Sequence, residues 1–330
     1  MILPLPFEEL PNKIKKNEWK SYIEMYPDLI KSDINNEKKA LSHWYRWGFF
    51  ENRIWSNSSK NMLDDRHIPE IDKYKLYQKY DNVILTCYFT SKLDPQRKIK
   101  IQDNYFKYIK FWYKSLLNHN LHGIIFYDNL SQEFIKQYQT DKIIFIKSSL
   151  GKLSINDERF IIWYKYLLRN PYKYVLMTDV SDVQINKNPF DFISKFGKDK
   201  IFIGTNTCHL DTVQNTNSIW FKKREKSIQY MNKFLKKQYF YNEYQLYNPG
   251  LFGGHYNIVM EMLLNVSYIE SILNHKNYNL IIFNYLIHTY LIENYDSNHC
   301  TKYVITGQPF NSIYKKYEQL HESQNYLIHK

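Results

Sequence analysis

The spacing of apolar residues divides the chain near residue 81. Downstream lie short apolar runs rich in β-branched and aromatic residues: DNVILTCYFT (81–90), HGIIFYDNL (122–130), DKIIFIKSS (141–149), YKYVLMTDV (172–180) and DKIFIGTNT (199–207). Each is bounded by turn formers and reads as a strand. Between them the period becomes helical. Phe106, Ile109, Trp112, Tyr113, Leu116 and Leu117 form an apolar stripe across 103–117. Phe160, Ile161, Tyr164, Leu167 and Leu168 form another across 156–168, with Asn156 or Asp157 placed to cap its start. Strands alternating with helices predict βαβ units, hence an α/β fold with a mostly parallel, Rossmann-like sheet flanked by helices. Such sheets bind ligands beyond the carboxyl ends of their strands.

Upstream the texture differs. Trp19, Tyr22, Ile23 and Tyr26, then Leu41, Trp44 and Tyr45, recur at helical spacing; Pro27 breaks or restarts the first helix and Gly48 is placed to cap the second. Residues 1–72 are therefore expected to be a small helical module followed by a polar linker, and 73–330 the main domain. Residues 242–257, NEYQLYNPGLFGGHYN, concentrate glycine and proline and read as a loop, with helices expected over about 256–274 and 278–292.

Composition narrows the classes. The chain has 330 residues, of which 44% are hydrophobic and 18% aromatic, enough for a substantial core and against extended disorder. The formal net charge of +12 suits a polyanionic or phosphate-bearing ligand, but the lysines are dispersed and form no nucleic-acid arm. Cys87, Cys208 and Cys300 stand far apart, with neither disulfide nor zinc spacing, as in a reducing compartment. The opening MILPLPFEEL lacks a basic leader, and the longest apolar stretch, 280–292, is interrupted by Asn284 and His288. A soluble, cytoplasmic protein with no membrane span is expected. Neither a G-x-G-x-x-G nor a Walker A motif is present.

The chemistry concentrates in YVLMTDVSDVQINKNPF (174–190), where an apolar strand ends in Asp179 and Asp182. Carboxylates at a strand end suit Mn²⁺ or Mg²⁺, which bridge to substrate phosphates. Positions i and i+3 of a strand face opposite sides, so both can meet one ion only if the chain turns at Val180 and Ser181. Asp182 is the better direct ligand, with Asp179 bound through water or contacting a ribose. The competing reading is a capped turn with solvated aspartates.

The order of strand, helix, D-x-x-D and N-P-F resembles nucleotide-sugar glycosyltransferases of the GT-A type, over about residues 81–330. The segment TDVSDVQINKNPF is similar to variants of their D-x-D motif, and the helix NDERFIIWYKYLLRN leads into it. The resemblance implies that Asp182, Asp179 and His329 bind the metal, and that Arg159 and Lys330 face the diphosphate. Asn248, Gly250, Gly253 and Gly254 in NPGLFGG would lie under the sugar, with Asn284 near it and Ser181 also on the donor. Thr86, Tyr88 and Thr90 would surround the base, and Asp128 would touch the donor or cap a helix. Val180 departs from the pattern by occupying the first aspartate position of D-x-D, and amides at Asn277 and Asn279 replace an acidic residue. The N-terminal W-x-x-Y-x-x-x-Y-P-D-L and A-x-x-H-W-x-x-x-G-x-x-E-N-R resemble a helical module beside glycosyltransferases of bacteria and giant DNA viruses, where His43 and Trp44 either stack on a sugar or fill a core.

The implied activity is metal-dependent transfer of a hexosyl or N-acetylhexosaminyl group from a nucleotide-sugar, UDP-linked by preference, to a glycan, protein or other hydroxyl acceptor. Asp182, Asp179 and Arg159 are the catalytic candidates. Asp211, Glu243 and Asp296 are candidate bases, but none stands in a motif, which favours retention of configuration. A homodimer is compatible with the sequence, and a viral protein would work in the host cytoplasm. The alternatives are a metal-dependent phosphoryl-transfer enzyme (a nuclease or nucleotidyltransferase) and a non-catalytic carbohydrate-binding protein on the same fold.

Overall fold

A computed structural model describes residues 15–57, 69–71, 80–209, 229, 245–273, 277–288, 303–313 and 325–329. The apolar runs form strands β2 (Asn82–Tyr88), β3 (Gly123–Tyr127), β4 (Ile143–Ser149), β5 (Tyr174–Thr178) and β7 (Ile201–His209). With β1 (Glu70–Ile71), β8 (Gln245–His255) and β9 (Val304–Thr306) they build an eight-stranded sheet in the order β1-β4-β3-β2-β5-β8-β7-β9 among the described residues. The central strands pair in parallel, and β8 runs against both β5 and β7. The α/β class and the mostly parallel sheet are as expected. A smaller sheet joins β6 (Val183–Ile185), β10 (Asn311–Ile313) and β11 (Leu327–His329) in the order β10-β11-β6.

The strand order reverses at β2. The chain moves outward through β3 and β4, then returns to place β5 on the other side of β2. The carboxyl ends of β2 and β5 therefore diverge to leave a crevice, the usual ligand position of such sheets. Thr86 Oγ1 donates to Thr178 O at 2.8 Å across this pair of strands, and Trp112 Nε1, from the helix packed on them, donates to Thr178 Oγ1 at 2.8 Å.

NPGLFGG is not the loop its glycines suggested. It lies within β8, between β5 and β7. Here the glycines permit close approach rather than a turn. A Cβ on Gly253 would stand 2.8 Å from Leu176 Cα on β5, too close for any side chain. The register slips between Ile203 and Gly204, so β8 carries a bulge at Pro249–Leu251 facing the crevice end.

Helices cover both faces of the sheet. The N-terminal region forms α1 (Trp19–Met25), α2 (Pro27–Lys31) and α3 (Glu37–His43), closed by a π-helical turn at Trp44–Gly48. The main domain adds α4 (Phe106–Asn118), α5 (Gln132–Tyr138), α6 (Ile155–Arg169), α7 (Phe190–Ile193), α8 (Tyr256–Leu273) and α9 (Asn279–Leu286). Pro27 begins α2, where its missing N–H costs nothing. Gly48 ends the π-turn instead of capping a helix: it is buried, and a Cβ there would run into the Tyr22 hydroxyl. Helix α6 starts at Ile155, capped by Ser154, not by Asn156 or Asp157. Ser154 has the extended backbone of an N-cap, and its Oγ accepts from Asp157 N at 3.3 Å while donating to Asp157 Oδ2 at 2.7 Å.

The N-terminal helices share a core with α6 and α8. The Tyr45 and Phe49 rings pack on Tyr268 at 5.3 and 5.1 Å, and Arg46 pairs with Glu261 at 2.7 Å. Trp44 is buried and the His43 ring bonds the Tyr22 hydroxyl at 2.9 Å, so this pair serves the core. No described helix is long and apolar enough to cross a membrane.

Candidate active site

A cleft of about 330 Å³ opens where β2 and β5 end, beside the bulge of β8. β5 stops at Thr178, the chain turns through Val180–Asp182, and β6 begins at Val183. This is the turn that the two aspartates require to face one space, and both line the cleft. The short strand β6 then positions β11, antiparallel, with His329 opposite Val183. His329 is thereby buried beside Asp179, its Nε2 3.7 Å from Asp179 Oδ2.

Asp179 is the most constrained group of the site. Its N–H donates to Gly250 O at 2.7 Å, and its carboxylate is ion-paired with Arg159 Nη1. Arg159 comes from the buried face of α6, and its guanidinium packs 5.5 Å from the Trp163 ring one turn on. Burial pushes the Asp179 carboxyl up, but Arg159 and His329 outweigh it and hold the group at about 2. Asp182 has other partners: its Oδ2 accepts from Arg97 Nη2 at 3.1 Å and its Oδ1 from Ser181 Oγ at 2.9 Å.

Behind Arg159 lies a buried acidic group. Asp157 accepts hydrogen bonds from Asn279 N and Nδ2, both at 3.0 Å, and so ties the start of α6 to the start of α9. Burial raises its carboxyl against those hydrogen bonds. Glu158 is likewise raised by burial, opposed by Lys92 at 2.6 Å. Glu270, on α8, is 2% exposed, neither of its oxygens has a hydrogen-bond partner among the described residues, and burial holds it far above the ordinary carboxylate range.

Of the residues named from the sequence, the cleft brings together Arg159, Asp179, Ser181, Asp182, Asn248 and His329. The others expected on the donor have structural occupations away from its lining. Thr86 holds β2 to β5, as above. The Tyr88 hydroxyl donates to Gln102 O at 2.5 Å inside the core. Thr90 N donates to Asp128 Oδ1 at 2.9 Å, and Ser91 N to Asp128 Oδ2 at 3.1 Å, so Asp128 anchors the chain leaving β2. Asn284 is buried and brackets Tyr247, its Oδ1 accepting from Tyr247 N at 2.8 Å and its Nδ2 donating to Tyr247 O at 2.9 Å. Gly253 and Gly254 lie within the sheet, and Gly250 meets the cleft through Asp179. Lys330, Asp211, Glu243 and Asp296 lie outside the described residues.

The cleft also contains residues that the sequence did not single out for it. Arg97 and Asp94 come from the chain after β2 and Tyr108 from α4, while Asn279, noted from the sequence as standing in place of an acidic residue, comes from α9. Burial pushes the Tyr108 hydroxyl up to about 12, opposed by its hydrogen bond with Ser181. Asp94-Pro95 carries a turn signal, but nothing local distinguishes Arg97 from the dispersed basic residues around it.

Two carboxylates and an imidazole beside one polar cleft are a donor set suited to a hard divalent cation. Among the described residues, however, no three His, Cys, Asp or Glu side chains stand together as a ready-made metal site. Each aspartate is instead matched to an arginine.

No known family profile and no curated protein matches the chain. Among solved structures it is similar to the galactosyltransferase LgtC in complex with donor and acceptor sugar analogs, at 12% identity over 75% of this chain and 86% of that one, with a TM-score of 0.40. It is also similar to a glycosyltransferase involved in glycosylation of the major capsid of PBCV-1, at 14% identity over 75% of this chain and 91% of that one, with a TM-score of 0.38. Backbone likenesses this loose leave the chemistry of the cleft to stand on its own residues.

Proposed function

We propose that the protein is a metal-dependent glycosyltransferase of GT-A type that takes a nucleotide-sugar, UDP-linked by preference, and transfers a hexosyl or N-acetylhexosaminyl group to a hydroxyl acceptor. The observation that carries this reading is the convergence of Asp179, Asp182, Arg159 and His329 in one polar cleft at the carboxyl edge of the sheet, where the strand order reverses. The resemblance of TDVSDVQINKNPF to a D-x-D variant supports it from the sequence.

In this reading Asp182, Asp179 and His329 would hold Mn²⁺ or Mg²⁺. When bound, the cation neutralises charge developing on the departing nucleoside diphosphate. The chain's own residues do the rest. Arg159, pinned by Asp179 and by its packing against Trp163, presents a fixed positive charge to the same diphosphate. A preorganised charge of this kind stabilises the leaving group without reorganising during reaction. Ser181 and Asn248 border the space left for the sugar. No carboxylate other than Asp94, Asp179 and Asp182 lines the described cleft, and each of these is ion-paired. Inversion would need a carboxylate base on the acceptor hydroxyl, and each of these three is engaged by an arginine, so retention of configuration, which needs no such base, fits.

The direct test is calorimetry of UDP and GDP with and without Mn²⁺. Binding of one nucleoside diphosphate that depends on Mn²⁺ supports the reading. Cleavage of DNA with no nucleotide binding would favour a phosphoryl-transfer enzyme, and glycan binding indifferent to metal and nucleotide would favour a lectin-like role.

A further inference from the structure

The two aspartates of the cleft are held unequally. The Arg159 side chain on Asp179 is 10% exposed and packed against Trp163, whereas the Arg97 side chain on Asp182 is 50% exposed. Arg97 also has a second partner. Its guanidinium fork is split, with Nη2 on Asp182 Oδ2 at 3.1 Å and Nη1 on Asp94 Oδ2 at 3.2 Å. Asp94 is a fixed anchor. It is 6% exposed, and its Oδ1 accepts from Gln96 N at 2.7 Å and Arg97 N at 3.0 Å. Its backbone closes a tight turn with Lys98 and Ile99, in which Lys98 takes the left-handed φ of 60°.

We propose that Arg97 is a removable internal cation. Its guanidinium neutralises Asp182 in the unloaded protein, yields that carboxylate when a divalent cation binds, and then offers its freed edge to the diphosphate of the donor. The inference rests on the glycosyltransferase reading and deepens it by naming a residue that couples the loading of metal and nucleotide. A half-exposed ion pair contributes little and opens readily. Opening it does not eject Arg97 from the cleft, because Asp94 keeps hold of the other nitrogen. A guanidinium with one edge free is a fork matched to phosphate oxygens. Arg159 does not play this part, since it is buried and Asp179 is its one ion-pair partner among the described residues.

The test is calorimetric titration of the full chain with Mn²⁺ alone, and then with UDP at saturating Mn²⁺, for wild type, Arg97→Gln and Asp182→Asn. Removing the competing cation should tighten Mn²⁺ alone by about two- to fivefold, the range set by a weak ion pair. The same variant should weaken UDP at saturating Mn²⁺ by roughly tenfold, through loss of one charge-assisted contact. A residue that merely supports the cleft would shift both affinities in the same direction. Mn²⁺ binding unchanged or weakened in Arg97→Gln, while Asp182→Asn abolishes it, would overturn the role of Arg97 and leave the metal site standing. Absence of Mn²⁺ binding in all three proteins would overturn both.

Discussion

Asp179 and Gly250 are fitted to one another. The Asp179 N–H donates to Gly250 O at 2.7 Å, and the Asp179 carboxylate fills the space where residue 250 would carry a Cβ, which would stand 2.7 Å from Asp179 Cγ. Gly250 lies in the bulge of β8, but its carbonyl is held by Asp179 N–H and the adjoining Leu251 pairs with Thr178, so the backbone has little room to yield. Gly250→Ala should therefore drive the carboxylate off Arg159. We expect a loss of about 1–3 kcal/mol in unfolding free energy, as for other overpacked sites, and a fall of about a hundredfold in donor turnover from misplacement at the site. Chemical denaturation and nucleotide-release assays measure the two effects separately.

The depressed carboxyl of Asp179 makes an acid-side prediction. Its folded value of about 2 lies below its ordinary 3.8, so the folded state holds fewer protons than the unfolded state near these values. The stabilisation it brings is complete above the ordinary value and is lost as pH falls through about 2. It amounts to roughly 2 kcal/mol. Urea unfolding between pH 2 and 6 should show this slope in wild type and a shallower one in Asp179→Asn. Arg159→Met, which removes the main opposing charge, should move the slope to higher pH.

Glu270 predicts the opposite sign. Burial raises its carboxyl far above its ordinary value, so its contribution to stability is present below that value and declines as pH rises through the folded pKa. Glu270→Gln keeps the shape and removes the proton. It should match wild type at acid pH and become the more stable of the two toward neutrality, by about 1–3 kcal/mol in thermal or chemical unfolding.

Gly253 predicts a purely structural failure. Its Cβ would meet the backbone of Val175 and Leu176 rather than a side chain that can move. Gly253→Ala should lower stability by more than Gly250→Ala, on the order of 3 kcal/mol or greater, while leaving the acid-side slope of Asp179 in whatever protein folds.

The alternation of apolar runs made the parallel strands legible, because strands buried on both faces read as continuous β-branched and aromatic stretches. It did not reveal β8. Glycine and proline in NPGLFGG carry the same signal whether they permit a turn or a close approach, and only the pairing with Val175 and Leu176 decides between them. The turn between Asp179 and Asp182 followed from strand geometry, and the structure contains it. What brings His329 to Asp179 is the pairing of β11 with β6, a contact across more than a hundred residues that no local pattern encodes. Arg97 was illegible for a different reason: its meaning lies entirely in Asp94 and Asp182, which meet it only in the fold.

The glycosyltransferase reading requires this cleft to turn over a nucleotide-sugar with a divalent cation held by its aspartates. The most direct measurement is release of nucleoside diphosphate from a panel of UDP- and GDP-sugars, with Mn²⁺ or with a chelator, by wild type and Asp182→Ala. Release from at least one sugar nucleotide should require Mn²⁺ and should fall by about a hundredfold or more, as for loss of a group that stabilises the leaving charge, in an Asp182→Ala protein whose melting temperature is unchanged. Release by wild type that is indifferent to the chelator, or wild-type turnover by Asp182→Ala, would contradict it.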